Sequence, residues 1–420
     1  MAISWVIKSD MISHRVRLGV AVADNLIYAT GGYYLGSILA SAEVFTPNGN
    51  SWASIADMPL RRKDHAAVGY NGKVYVLGGA WSDMANMGVP VENWITRCAP
   101  VHIYDPATNS WSVGASMPTP RTQVAAAELN GEIWVIGGFT DEDPTDSVKE
   151  ASSKVEIYDP VHDSWRNGPA LPSVRFGMAA ASLDGKIYVS GGWEDNSSDL
   201  PYFDEAYTMY ASSGGGWTRL ADMPYRRESH AMTSWQGKLY ILAGSYIRSS
   251  DPDNATRALT NSVVEFDPGT NAYAELDFLR TKRWLHGSAQ AGGTIYVLGG
   301  ADSYYDSAAG DILDSVEGGE LTSCSVLADV DVTVSGTGAV FSSPGINCGS
   351  DCTEKFCVGT PITLTAVAGQ GASFSVWTGA CSGAENSCEV TVNADLQIGA
   401  QFNAAKTITP TAMDVLLLMQ

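Results

Sequence analysis

Short apolar runs that close on a pair of glycines recur along the first three quarters of the chain. They read IYATGG ending at Gly32, VYVLGG at Gly79, IWVIGG at Gly138, IYVSGG at Gly192, LYILAG at Gly244 and IYVLGG at Gly300. Each is rich in β-branched and aromatic residues, too short for a helix and bounded by turn formers, which predicts a buried strand. An arginine stands 16 residues before the first member of each pair, at Arg15, Arg62, Arg121, Arg175, Arg227 and Arg283. An aromatic stands 10 residues before each arginine, at Trp5, Trp52, Trp111, Trp165, Trp217 and Tyr273. Six copies in one register are the mark of a repeat architecture.

Within a copy the pattern predicts strand, turn, strand, tight hairpin and strand. Met-Pro at 58–59, 117–118 and 223–224 marks the turn before the arginine, and Asn71-Gly72, Asn130-Gly131 and Asp184-Gly185 supply two-residue hairpin loops. A segment of variable length follows the glycines, then a strand such as VHIYDP or VEIYDP. Four strands in about 50 residues is the size of one propeller blade. The last copy has Ser315-Val316-Glu317 but no following aromatic, whereas Trp5 has no preceding blade. Residues 3–9 are therefore expected to close the final blade, removing the free sheet edges.

The Gly-Gly pair, Tyr-Asp-Pro at 104–106 and 158–160, the spaced tryptophans and the M-P-x-x-R spacing resemble the kelch-repeat family. The expected fold is all-β, a six-bladed kelch-type β-propeller over 1–323. Ala243 and Tyr273 depart from the pattern, in place of a glycine and a tryptophan. The resemblance leaves function open, because kelch propellers include adaptors, adhesins, oxidases and epimerases.

From about Asp329 the texture changes to the alternation Val330, Val332, Val334, then Ile362, Leu364 and later Leu396, Ile398, Phe402. These predict half-buried strands of a small disulfide-bonded β domain over 324–404, with a tail at 405–420. Six of the seven cysteines fall here. Cys348 with Cys352 and Cys381 with Cys388 lie close enough in sequence for short-range bridges, and Cys324 and Cys357 are left for a third. Zinc is the competing reading, weakened because all six histidines precede residue 287. GINCG at 345–349 and WTGAC at 377–381 resemble bacterial repeat modules distantly similar to the internalin-type B repeat. That resemblance, with the cysteines, implies a secreted or cell-surface bacterial protein, although residues 1–20 hold no signal peptide.

Charge narrows the partners. Forty-six acidic against 25 basic residues give a net −21, and no basic stripe is present to neutralise phosphates, so nucleic acid is not expected. The apolar stretch 415–419 is too short to span a bilayer. No phosphate-cradling glycine loop occurs, so no cofactor is expected, and the chain is read as a monomer.

A propeller places the register arginines and the segments after Gly-Gly on one face. The candidate ligand-binding set is Arg61, Arg62, Arg226, Arg227 and Arg283 with Trp81, Trp94, Trp193, Tyr304 and Tyr305. Aromatics with arginine suit protein interfaces, and aromatics with the nearby carboxylates Asp141, Glu142, Glu194 and Asp302 suit sugars. The fixed register argues equally that the arginines satisfy carbonyls between blades. His65, His230 and His286 share one register place, more in keeping with packing than with metal. DEDPTD at 141–146 is a weak calcium signal without EF-hand spacing. No catalytic residue is assigned and no metal site is expected. The reading is a non-catalytic recognition protein for a protein or glycan. The alternatives are a sugar enzyme resembling kelch sialic acid mutarotases, with Glu228 beside Arg227, and a copper radical oxidase, for which Cys98 is the one cysteine in the repeats.

Overall fold

The computed structural model describes residues 2–81, 99–140, 150–193, 205–210, 216–247, 258–303, 312–322, 327–343, 347–348, 353–369 and 371–404. The chain divides into two compact units, one of Ile3–Glu320 and one of Leu321–Gln420 with Met1–Ala2.

The first unit is a β-propeller built of antiparallel sheets, each carrying one repeat. In sheet one the strands Gly19–Ala23, Leu26–Thr30, Ala42–Thr46 and Ser51–Ile55 lie in sequence order from inside to outside. The same order holds in sheets two, three and four, which begin at Ala66, Ala125 and Ala179, and in sheet five, which begins at Ala231. Sheet five gains an extra short strand, Arg226–Glu228, paired with Lys238–Ile247. Sheet six runs Gly287–Ala291, Thr294–Leu298, Val316–Thr322 and then Ala2–Ile7, so the N-terminal strand supplies its outer edge as expected.

Side-chain size is graded across each sheet. Inner strands bury small residues such as Ala21, Ala23, Ala125, Ala127, Ala289 and Ala291, because strands converge toward the axis and leave little width. Second strands, buried on both faces, carry Ile27, Val74, Val76, Ile133, Val135, Ile187 and Val189. Outer strands alternate exposed positions with the half-buried register aromatic.

Three sets of contacts join the sheets. The second glycine of each pair donates its N–H to the arginine carbonyl of the next sheet, from Gly32 to Arg62 at 2.9 Å around to Gly300 and Arg15 at 3.0 Å. These glycines hold φ of +90 to +101°, and a Cβ there would stand 2.6–2.8 Å from a backbone oxygen of their own sheet. No side chain fits that approach, which is why the second member of each pair is glycine. Ala243 occupies the first-glycine place of sheet five at φ +50°.

The register aromatic is the second joint. Trp52, Trp111, Trp165 and Trp217 donate their indole N–H to Ser9, Ala56, Ala115 and Pro169 carbonyls of the preceding sheet at 2.7–3.0 Å. Trp5 reaches Asp277 O in sheet five at 3.2 Å, and the hydroxyl of Tyr273 reaches Ala221 O at 3.0 Å, so the tyrosine keeps the tryptophan's function. The third joint is an Asn or Asp in left-handed conformation before the outer strand. Asn50, Asn109, Asp163 and Asn271 accept the N–H of Ser9, Ala56, Ala115 and Ala221, the same residues whose carbonyls the aromatics hold.

The second unit packs two sheets face to face. One orders Thr353–Cys357, Leu327–Ser335, Leu396–Ala404 and Ala372–Gly379, and the other Asn347–Cys348, Gly338–Ser343, Thr360–Ala368 and Ser387–Val392. Inward residues Val330, Val332, Val340, Ile362, Leu364, Trp377, Ile398 and Phe402 form its core, as the alternation predicts. Cys381 and Cys388 are bridged, closing a loop whose Glu385 carbonyl accepts the Trp377 indole at 2.9 Å. Cys348 ends a described strand, but its side chain, Cys352, Cys324 and Cys98 lie outside the described residues. Opening this short loop by Cys381→Ser and Cys388→Ser is expected to lower the module's stability by about 2 kcal/mol. Calorimetry of the full chain, comparing the unfolding transition of the second unit in wild type and variant, measures it.

Candidate binding face around the ring axis

Each register arginine begins a run of four residues that builds one sector of the ring. The arginines themselves are sealed, five at 0% exposure and Arg227 at 1%. Each Nη1 donates to the carbonyl at the first-glycine place of its own sheet: Arg15 to Gly31, Arg62 to Gly78, Arg121 to Gly137, Arg175 to Gly191, Arg227 to Ala243 and Arg283 to Gly299, at 2.8–3.2 Å. The second nitrogen meets a residue of the third strand in five sheets, and in sheet four Arg175 Nη2 donates to the Ser173 hydroxyl at 2.8 Å. The third-strand partner is Glu43 for Arg15, Glu156 for Arg121 at 2.9 Å and Glu317 for Arg283 at 2.7 Å. In sheet two it is His102, whose Nδ1 lies 3.0 Å from Arg62, and in sheet five the Ser262 hydroxyl, 2.8 Å from Arg227.

Arg62, Arg227 and Arg283, expected on the ligand face, are therefore interior. Their side chains fasten their own sheet, and their backbones bridge to the preceding one, the three carbonyls accepting from its second glycine and the N–H groups of Arg62 and Arg283 donating to Leu39 O and Thr260 O. The doubled pairs divide as the register implies, with Arg61 exposed and Arg226 half-buried beside their sealed partners.

Two residues after each arginine comes the lip of the ring: Arg17, Asp64, Gln123, Gly177, Ser229 and Leu285. All six hold left-handed φ between +49 and +64°. Their backbones form a closed cycle. Asp64 N donates to Arg17 O at 3.0 Å, Gln123 to Asp64 at 2.8 Å, Gly177 to Gln123 at 3.4 Å, Ser229 to Gly177 at 2.8 Å, Leu285 to Ser229 at 2.9 Å and Arg17 to Leu285 at 2.9 Å. Periodicity gives no hint of this cycle, because the six residues share a conformation but no chemistry. The available signal was their constant distance from the arginine.

The next position lies beneath the lip and is held by Leu18, His65, Val124, Met178, His230 and His286, and lip and floor together bound a cavity of about 120 Å³. His65 Nε2 pairs with the Thr30 hydroxyl at 3.0 Å and His230 Nε2 with the Ser190 hydroxyl at 2.8 Å, each on the preceding sheet. At the corresponding place before His286 stands Leu242, and neither nitrogen of that ring is hydrogen-bonded. The histidines are thus packed floor residues.

Burial, and then the buried arginines, hold all these imidazoles neutral. His230 is pushed down to about 3, His102 to about 4, and His65 and His286 well below the ordinary 6.5. A folded pKa below the unfolded value means the unfolded chain binds more protons. The stability these groups contribute is complete above about pH 6.5 and falls as pH drops toward 4, by up to about 1.4 kcal/mol per pH unit for each proton taken up. Denaturant midpoints between pH 7 and 4.5 are expected to fall steeply, and His102→Gln to make the fall shallower.

One residue after each arginine faces the residue following the glycines, giving the pairs Val16–Tyr33, Lys63–Ala80, Thr122–Phe139, Phe176–Trp193, Glu228–Ser245 and Trp284–Ala301. This rim is uneven. Lys63 lies over the Tyr33 ring at 4.7 Å, and Arg17 pairs with Asp64 at 3.0 Å. Across the ring, Phe139, Phe176 and Trp193 stack with centroids 3.7 and 6.2 Å apart. Trp193, expected to be available to ligand, is 6% exposed within that stack, and Trp81 is half-buried. Trp94, Tyr304 and Tyr305 lie outside the described residues, as does DEDPTD. Glu228, raised as an acid or base, is 5% exposed and accepts the Ser229 hydroxyl at 3.0 Å, while its neighbour Arg227 is interior.

Known proteins share this organisation. Residues 14–59 and 61–118 match the Kelch motif, residues 101–300 the KLHDC2/KLHL20/DRC7 Kelch-repeats domain, and residues 330–406 the divergent InlB B-repeat domain. Kelch-like protein 35 of Mus musculus is 30% identical over 248 residues, covering 59% of this chain and 36% of that protein. Beta-scruin of Limulus polyphemus is 28% identical over 249 residues, covering 57% and 26%. The chain thus spans well under half the length of either relative. The solved structure of YjhT superposes with a TM-score of 0.60 at 17% identity, over 73% of this chain and 95% of that one, a likeness of fold.

Proposed function

We propose, for a chain that belongs to the kelch-repeat β-propeller family and carries a divergent InlB B-repeat domain, that the lip and rim of its ring recognise a protein partner without catalysis. The propeller is read as six-bladed, supported by six repeat-bearing sheets and a cycle of six backbone hydrogen bonds. The observation that carries the functional reading is a division of labour within each repeat. The recurring residues, arginine, glycines and aromatic, serve the scaffold, whereas the residue two places after the arginine differs in every sheet and lies at the lip. Chemical variety on a rigid, repeated frame is how a binding surface acquires specificity. Kelch repeats are typically protein-binding.

The B-repeat domain supports placement at a bacterial surface, and the Cys381–Cys388 bridge is in keeping with an oxidising compartment. Among the described residues no helix is long and apolar enough to cross a membrane.

Selecting a dodecapeptide display library on the full chain, beside a glycan array, tests the reading. Peptides that compete with one another and lose affinity in Lys63→Ala or Trp284→Ala are expected. Saccharide binding without peptide binding would transfer the face to sugars.

A further inference from the structure

The chain contains four Asn-Gly dipeptides, at 48–49, 71–72, 130–131 and 167–168, and all four asparagines are exposed. An asparagine followed by glycine is chemically labile, because the next backbone nitrogen, unhindered by a Cβ, can attack the side-chain amide carbon. The reaction then depends on what holds that nitrogen. Gly168 N donates to Val155 O at 2.8 Å. Gly49 closes the 3-10 helix Pro47–Gly49, whose i→i+3 pattern engages its N–H. Gly131 N donates to Glu128 Oε1 at 2.7 Å. Gly72 N has no hydrogen-bond partner among the described residues.

Two of the four sites are sister hairpins. Asn71-Gly72 and Asn130-Gly131 join the first two strands of sheets two and three, with φ of +49 and +72° in one and +54 and +88° in the other. The residue two places before the asparagine is Glu128 in sheet three and Gly69 in sheet two. Gly69 has no room for a side chain, because a Cβ there would stand 1.7 Å from Val22 O of sheet one. Close packing of the first two sheets thus removes the acceptor that guards the same loop in the next sheet.

We propose that Asn71 is a site of spontaneous conversion to aspartate and isoaspartate, and that Glu128 shields Asn130 from the same reaction. Gly72 N forms a bond to Asn71 Cγ and the Cγ–Nδ2 bond breaks. The amide nitrogen leaves as ammonia, taking the proton that Gly72 N gives up. One water then opens the cyclic imide, at the side-chain carbonyl to give aspartate or at the main-chain carbonyl to give isoaspartate. The attack requires the turn to open, and exposed hairpin tips are where local opening costs least. At Asn130 the Glu128 carboxylate holds the N–H, and its charge opposes the amide anion that the attack requires. Either product adds a negative charge to the hairpin of sheet two, and isoaspartate also lengthens its backbone by one methylene.

The experiment incubates the full chain in mildly alkaline buffer and follows the four sites by peptide mass spectrometry, which reads each exchange of amide for acid. Asn71 is expected to convert about tenfold or more faster than Asn48, Asn130 and Asn167, the factor lost with one hydrogen bond to the attacking nitrogen. In the chain unfolded in guanidinium chloride the four are expected to convert at similar rates. Glu128→Ala is expected to raise the Asn130 rate toward that of Asn71, and Glu128→Gln, which keeps an acceptor oxygen, to leave it low. Asn48 and Asn167 in the same variant report that it stays folded, since they convert quickly only when it does not. Equal rates at the four sites of the folded wild type, or Asn130 converting first, overturn the proposal without recourse to a variant. An Asn130 rate unmoved by Glu128→Ala in a folded chain overturns the shielding.

Discussion

Arg121→Met is expected to destabilise the propeller by about 3–5 kcal/mol, because the substitution strands Glu156 at 3% exposure without its counter-charge. The same guanidinium serves the carbonyls of Gly137 and Lys154 at 2.8 and 2.7 Å, which lose their donor with it. The double variant Arg121→Met, Glu156→Leu is expected to regain the part due to the buried carboxylate and to keep the loss from the two carbonyls. Urea denaturation of the three proteins separates the terms. A single variant within about 1 kcal/mol of wild type would show that the arginine is not a scaffold residue. Combined replacement of Arg61, Arg62, Arg226 and Arg227, which would be natural for a ligand-binding ring, is therefore a test of folding, since two of the four are sealed.

Removing residues 2–8 is the second large effect. The strand Ala2–Ile7 buries Ile3 at 1% and Trp5 at 6% exposure, and Trp5 ties sheet six to Asp277 of sheet five. Beyond it, Lys8 N donates to Val316 O at 2.9 Å. Trp5→Ala alone is expected to cost about 3–5 kcal/mol. The deletion goes further, leaving Val316–Thr322 as an open edge that can pair with a second chain. Chromatography is expected to show self-association of the deleted chain and a monomeric wild type. A deleted chain that stays monomeric with an unchanged denaturant midpoint would contradict closure by this strand.

The fold was legible because the repeat fixes it through strong local signals. Gly-Gly, the hairpin dipeptides and the aromatic spacing each report a backbone or packing requirement that few residue types meet, and they predict the N-terminal closure as well. The floor histidines were legible as packing residues for the same reason. The binding face was less so. Arg62, Arg227 and Arg283 carry charge, and charge in a sequence reads as exposure, whereas here burial is sustained by Glu317, His102, Ser262 and main-chain carbonyls contributed from far along the chain. The reverse holds at the lip. Gly177 and Ser229 look unremarkable in sequence and become informative only when the hydrogen-bonded cycle places them at the lip. Tyr273 shows the limit of pattern matching in the other direction, since a departure from the repeat preserves the contact.

The central claim is that the lip residues two places after the register arginines, with the half-buried rim residues Lys63 and Trp284, form the recognition surface. Hydrogen exchange of the full chain, with and without a peptide selected on it, tests this most directly. The account predicts added protection across 15–18, 62–65, 121–124, 175–178, 227–230 and 283–286 together, with little change at the hairpins 71–72, 130–131 and 184–185. Protection confined to those hairpins, or to the second unit, would contradict it.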